Sequence, residues 1–138
     1  MVDREKIEGL IRRLREYTGY LQEIAREDQA DFLDDPKSMG SARYYLQVSI
    51  ETCIGIANHI ISTERLRAPR DYRDAFTVLN EAGVLSDDLT QKMRELVGLR
   101  NLLVHVYWDV DDETIYEGVQ TELGDFEAFV EQVRAFLS

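Results

Sequence analysis

The chain has 138 residues, 44% of them hydrophobic, with two prolines and eight glycines, which suits one folded domain and excludes a fibrous or disordered polymer. A net charge of −11 excludes a broad electrostatic grip on a nucleic-acid backbone, which needs clustered Lys and Arg. The single cysteine, Cys53, excludes an internal disulfide framework, and no apolar run approaches the ~20 residues of a bilayer helix. The opening MVDREKIEGL lacks the apolar stretch of a secretory signal, so the expectation is a cytoplasmic protein.

Helical periodicity runs from about Asp3 to Asp28, where Ile7, Leu10, Ile11, Leu14, Tyr17, Leu21 and Ile24 recur with charged residues between them. The stretch Asp31 to Ser41 holds Asp-Asp-Pro and Met-Gly and reads as a loop. A second helix is expected from about Ser41 to Thr63. Leu46, Ile50, Cys53, Ile54, Ala57, Ile60 and Ile61 form its stripe, and Tyr45, Val48 and Ile56 broaden it. A helix apolar over so much of its circumference has neighbours on more than one side.

A short helix follows over about Asp71 to Ala82, with Asp71 as its cap, Tyr72, Ala75, Phe76 and Leu79 inward, and Gly83 as its stop. Ser86 caps the next, and its stripe of Leu89, Met93, Leu96, Val97, Arg100, Leu103 and Val104 reaches about Tyr107. The last helix begins after the acidic stretch Asp109 to Glu113 and buries Ile115, Val119, Leu123, Phe126, Val130, Val133 and Leu137. Strand patterning is weak everywhere. The fold class is therefore all-α: an up-and-down antiparallel bundle of four long helices and one short one.

Charge is unevenly spread. Carboxylates crowd the chain after residue 108, while basic residues gather near Arg12, Arg13 and Arg15 and between Arg65 and Arg73. An anionic ligand must therefore use a local pocket or the basic stretch, or be oriented by a partner.

The unusual segment is Arg100-Asn101-Leu102-Leu103-Val104-His105-Val106-Tyr107. Asn101 and His105 stand one helical turn apart and share a face, and Arg100 and Tyr107 lie nearly in line. Arg100 and His105 are about 140° apart around a regular helix, so they meet only at a cleft edge, a distorted helix end or a subunit interface. Arginine offers fixed donors and a permanent charge suited to a phosphate, histidine moves a proton near neutral pH, and asparagine can orient either. Together they suffice, without metal, to cleave RNA by attack of the ribose 2′-hydroxyl on the adjacent phosphate. On spacing alone the commoner role of such residues is to cap carbonyls at a helix end and pair with nearby acids such as Asp109.

Other candidates read mainly as structural. His59 sits near the end of the second helix, Cys53 lies on the apolar stripe, and Glu51 flanks it. Tyr44, Tyr45 and Trp108 are able to stack on bases, but aromatics at helical spacing more often fill a core. No metal-ligand spacing, glycine-rich phosphate loop or nucleophile elbow is present, so no cofactor is expected.

The segment Arg100-Asn101-x-x-x-His105-x-Tyr107 resembles the signature of the HepT-like HEPN proteins. The likeness extends to Ala42–Ser62, which resembles their second helix, to Tyr72–Leu85 and to Asp111–Tyr116, and so spans nearly all of residues 1–138 as one domain. The resemblance implies a bundle that dimerises, bringing two signature segments to one cleft. It implies a metal-independent endoribonuclease acting as the toxin of a toxin–antitoxin pair, with a minimal nucleotidyltransferase as partner antitoxin. It assigns Arg100 and His105 as the catalytic pair, Asn101 as their support and Tyr107 as a site for adenylylation. The alternative is a non-catalytic helical module that binds a nucleotidyltransferase or a nucleotide. The intact Arg100/His105 pair favours the first reading and the acidic charge the second.

Overall fold

The computed structural model describes residues 2–105 and 110–138, which among them form six helices and no strand: α1 (Arg4–Ala25), α2 (Gln29–Leu33), α3 (Pro36–Thr63), α4 (Tyr72–Glu81), α5 (Asp87–Val104) and α6 (Asp112–Leu137). The chain is an all-α bundle. The apolar stripe of α3 makes it the central helix, and it packs against each of the other five. Leu46, Ile50, Cys53, Ile56, Ala57 and Ile60 are fully buried along it, and the buried residues of all six helices join one core. Burial pushes the Cys53 thiol far above its ordinary range, so this sulfur acts as a small apolar group.

Local chemistry sets the helix ends. Asp71 Oδ1 accepts from the Asp74 N–H at 2.8 Å and Ser86 Oγ from the Leu89 N–H at 3.2 Å. Caps of this kind contribute about 1 kcal/mol each. Gly83 takes φ +80°, a left-handed conformation that glycine adopts without strain, and ends α4.

Three expectations need correction. The segment 31–41 is largely helical: α2 buries Phe32, and α3 starts at Pro36, six residues before the buried Ala42. Asp35 accepts from the Lys37 N–H at 3.0 Å and Pro36 fills the first turn, where its missing N–H costs nothing. The bundle thus has two short helices rather than one. Tyr72, expected to face inward, is 46% exposed. Finally, α5 ends at Val104, with His105 in an extended conformation as its cap; Val106, Tyr107, Trp108 and Asp109 lie outside the described residues.

Arg43 on α3 anchors the chain where it enters α6. Its Nε donates to Asp112 Oδ1 at 3.0 Å and its Nη2 to the Val110 carbonyl. Asp111 caps α6 by accepting from the Thr114 N–H at 2.7 Å. His59 has a structural role: its Nε2 accepts from the Asp3 N–H at 3.3 Å, tying the start of α1 to the end of α3. Tyr44 and Tyr45 belong to an aromatic group with Tyr17 and Tyr20, with Tyr45 4.8 Å from Tyr20, centre to centre.

Candidate active site at the end of helix 5

The last turn of α5 packs beside α3 and α4, which places Arg100 against both. An arginine on an apolar stripe must be paired, because an unpaired charge out of water is costly. Glu51 on α3 supplies the pair. Arg100 Nε and Nη2 both donate to Glu51 Oε2, at 3.0 and 2.7 Å. Arg100 Nη1 donates to Asn101 Oδ1 at 3.2 Å, and the Arg100 Cζ lies 5.0 Å from the centre of the Tyr72 ring on α4. Among the described residues the guanidinium is thus held by one carboxylate oxygen, one neutral amide and one ring face, and its side chain is 18% exposed. Gln47, one turn before Glu51, reaches its other oxygen at 3.5 Å.

This pairing within the chain removes the argument that an arginine on this stripe needs a subunit seam. Glu51 and Tyr72 were not legible as site residues, since they lie 49 and 28 positions from Arg100. Glu51 did carry a signal, as a carboxylate flanking the stripe of the central helix.

Asn101 connects two environments. Its carbonyl faces Arg100, and it also lines an open groove of about 620 Å³ with Arg73, Glu95, Gly98, Leu99, Leu102 and His105. Gly98, Asn101, Leu102 and His105 follow at helical spacing, so the groove runs along one face of α5. Arg100 and His105 therefore meet this region from two sides of Asn101: Arg100 packs toward Glu51 and Tyr72, and His105 lines the groove. The helix stops at His105, φ −95° and ψ 100°, so its imidazole is not bound to the helical wheel. Tyr107, the expected modification site, lies outside the described residues.

The position of α4 is set by a second arginine. Arg67 Nη1 and Nη2 donate to Asp74 Oδ2 and Oδ1 at 2.8 and 2.9 Å, and its Nε and Nη2 donate to Glu81 Oε1 and Oε2 at 2.8 and 2.9 Å. The Arg70 N–H adds a bond to Asp74 Oδ2 at 2.9 Å. The Arg67 bonds, followed by that N–H, hold the Asp74 carboxyl well below the usual carboxylate range, and Arg67 lowers Glu81 in the same way. This clamp spans two turns of α4 and fixes the helix that carries Tyr72 and Arg73.

An oriented arginine and a histidine at a helix end can stabilise charge on a phosphate and move a proton beside it. Residues 7–133 match the family model described as Ribonuclease HepT-like. An mRNA nuclease HepT of Shewanella oneidensis is 35% identical over 78% of this chain and 81% of its own. A tRNA nuclease HepT of Aphanizomenon flos-aquae is 26% identical over 95% of this chain and 89% of its own. In three dimensions the chain resembles the tri-AMPylated HEPN toxin of Shewanella oneidensis, solved in complex with its MNT antitoxin. The TM-score is 0.87 at 32% identity, covering 94% of this chain and 96% of that one. A toxin–antitoxin structure with AMP-PNP matches with a TM-score of 0.87 at 31% identity, covering 94% of this chain and 97% of that one. With the match running from within α1 to within α6 and across the Arg100–His105 segment, the chain belongs to the Ribonuclease HepT-like family.

Proposed function

We propose that this protein is a metal-independent endoribonuclease, the toxin of a toxin–antitoxin pair. The observation that carries the reading is Asn101, which joins the Arg100 guanidinium to the groove lined by His105 in a chain of this family. Arg100 stabilises the charge that develops on phosphorus, and Asn101 supports it. His105 moves a proton to or from the attacking 2′-hydroxyl or the leaving 5′-oxygen. Attack by the 2′-oxygen forms one P–O bond and breaks the other, leaving a 2′,3′-cyclic phosphate and a free 5′-hydroxyl.

The active form is a homodimer in which two signature segments share a cleft. The family resemblance supports this, as does Leu102, 38% exposed on the groove beside the partly buried Leu99 and Leu103. The partner antitoxin is a minimal nucleotidyltransferase, and Tyr107 is the side chain it adenylylates. The complex of the similar Shewanella oneidensis toxin with an MNT antitoxin supports this part.

The test is cleavage of single-stranded and structured RNA by EDTA-treated protein beside a folded His105→Ala variant. Wild type should give cyclic-phosphate ends, and the variant should lose on the order of 10²–10⁴-fold in rate. Activity that disappears with EDTA and returns with magnesium would overturn the mechanism. Equal cleavage by both proteins would remove His105 from it.

A further inference from the structure

Most arginines that face the α4–α5 side or the helix seams are committed to carboxylates. Arg67 binds Asp74 and Glu81, Arg100 binds Glu51, Arg43 binds Asp112 and Arg134 binds Glu8. Arg73 is different. Among the described residues it makes no ion pair or hydrogen bond, yet its guanidinium has a defined seat. A Cβ placed on Gly98 would lie 2.7 Å from Arg73 Nη2 and 3.7 Å from its Cζ. The guanidinium therefore lies against the bare backbone of α5, and a Cβ at position 98 would have to shift it. A glycine inside a helix costs stability relative to alanine, and this packing gives it a physical reason.

The seat faces the groove that Asn101 and His105 line. Gly98 and His105 both line this groove, seven residues apart in the chain. Arg73 and Tyr72 are consecutive on the clamped α4, and they reach α5 at Gly98 and Arg100 respectively. Glu95, the one carboxylate among the described residues of the groove, is held by Gln91 Nε2 at 3.2 Å and adds its charge to the neighbourhood of Asp125 and Glu122 on α6. The described lining of the groove thus carries its arginine on α4 and its carboxylate on α5, on the side toward the acidic residues of α6, so an anion is favoured at the Arg73 end.

We propose that Arg73 binds a non-scissile phosphodiester of the RNA strand, next to the phosphate handled by Arg100 and His105, with Gly98 as the seat that keeps the guanidinium over the groove. The assignment rests on the ribonuclease reading of this site. It also gives a strongly acidic protein a local cationic contact for RNA.

The test uses fluorescence anisotropy of a labelled single-stranded RNA oligonucleotide. The His105→Ala protein serves as the background, so that the probe stays intact, and binding is measured across a salt series. Arg73→Ala should weaken binding about tenfold at low salt and reduce the slope of log K against log salt by about 0.7, the value for one phosphate contact on a single strand. Gly98→Ala should give a Tm equal to or above that of the background, because alanine favours the helix, and should move binding in the direction of Arg73→Ala by a smaller amount, as its Cβ shifts the flexible guanidinium. Glu95→Gln should tighten binding. An unchanged Kd and salt slope in both Arg73→Ala and Gly98→Ala would overturn the assignment, as would a background protein that fails to bind the probe. The two readings fail separately. If wild type cuts no RNA yet the salt slope answers to Arg73, the phosphate site stands and the nuclease reading falls. If wild type cuts RNA and the Arg73 variants alter neither Kd nor KM, the phosphate site falls alone.

Discussion

Arg67 and Arg100 lie on either side of α4 and do opposite things with the same side chain. Arg67 gives four hydrogen bonds to two carboxylates, so its cluster with Asp74 and Glu81 holds one positive charge against two negative ones. Four of its five N–H donors are spent on carboxylates, which leaves one Nη1–H. Arg100 rests on a single oxygen of Glu51, an uncharged amide and a ring face. A phosphate can replace those contacts with bidentate charged ones, which are the stronger kind. The number of full charges holding an arginine, rather than its burial alone, separates the one that builds the fold from the one that meets substrate.

The largest way to break this comparison is to remove the clamp. Arg67→Ala leaves Asp74 and Glu81, two turns apart on α4, without their shared cation, and the expected loss in Tm is on the order of 5–10 °C at pH 7. The pH dependence follows from the sign of the shifts. Both carboxyls are lowered in the folded protein, so the stability they supply is full above their unfolded range near pH 4 and is lost as pH falls through their folded values. Wild type should therefore lose Tm more steeply than Arg67→Ala below about pH 4. Parallel acid limbs in the two melting series would contradict the clamp.

Glu51→Gln sharpens the other half. It keeps the shape of the partner and removes its charge, so Arg100 loses its orientation without leaving a buried carboxylate behind. The rate of cleavage should fall roughly tenfold, the equivalent of one charged hydrogen bond, with a smaller change in KM. A KM effect with unchanged kcat would mean that Glu51 acts on binding rather than on the orientation of Arg100.

How much of this was legible in the sequence differs by region. The central helix was legible because Leu46, Ile50, Cys53, Ala57 and Ile60 repeat over several turns, and every one of them is fully buried. The caps Asp71 and Ser86 and the stop at Gly83 were legible because each is a local event of three or four residues. The start of α3 was missed although Asp35-Pro36 is a helix-opening pair, since two adjacent aspartates and a proline also spell a turn. In the site, Arg100, Asn101 and His105 stood out as polar residues on an apolar stripe. The Arg100 partners Glu51 and Tyr72 did not, because the contacts depend on how α3, α4 and α5 pack, and Arg73 was legible only as the end of a basic stretch. Tyr72 shows the cost of this most clearly. Periodicity put it inward, yet it spends its ring on Arg100 at the surface.

The smallest expected effect lies at the acidic edge, where α5 meets α6. Burial, then Asp125 and Glu95, raise the Glu122 carboxyl above its usual range. Its charged form is therefore disfavoured in the folded state, and that penalty grows as pH rises through the folded value. Glu122→Gln should raise Tm by about 2–4 °C at pH 7, and the gain should vanish below about pH 4, where the wild-type carboxyl is protonated in both states. A constant gain across pH would assign the effect to packing instead.

The most direct measurement of the central claim is RNA cleavage in EDTA by Arg100→Ala and Arg67→Ala side by side, at a temperature where melting curves show both to be folded. The account predicts that Arg100→Ala loses about 10²–10³-fold in rate with a near-native Tm. It predicts that Arg67→Ala melts earlier but cleaves within about twofold of wild type per folded molecule, since its guanidinium is committed to Asp74 and Glu81 and does not line the groove of Asn101 and His105. Wild-type cleavage by Arg100→Ala, or a loss by folded Arg67→Ala as large as that of Arg100→Ala, would contradict it.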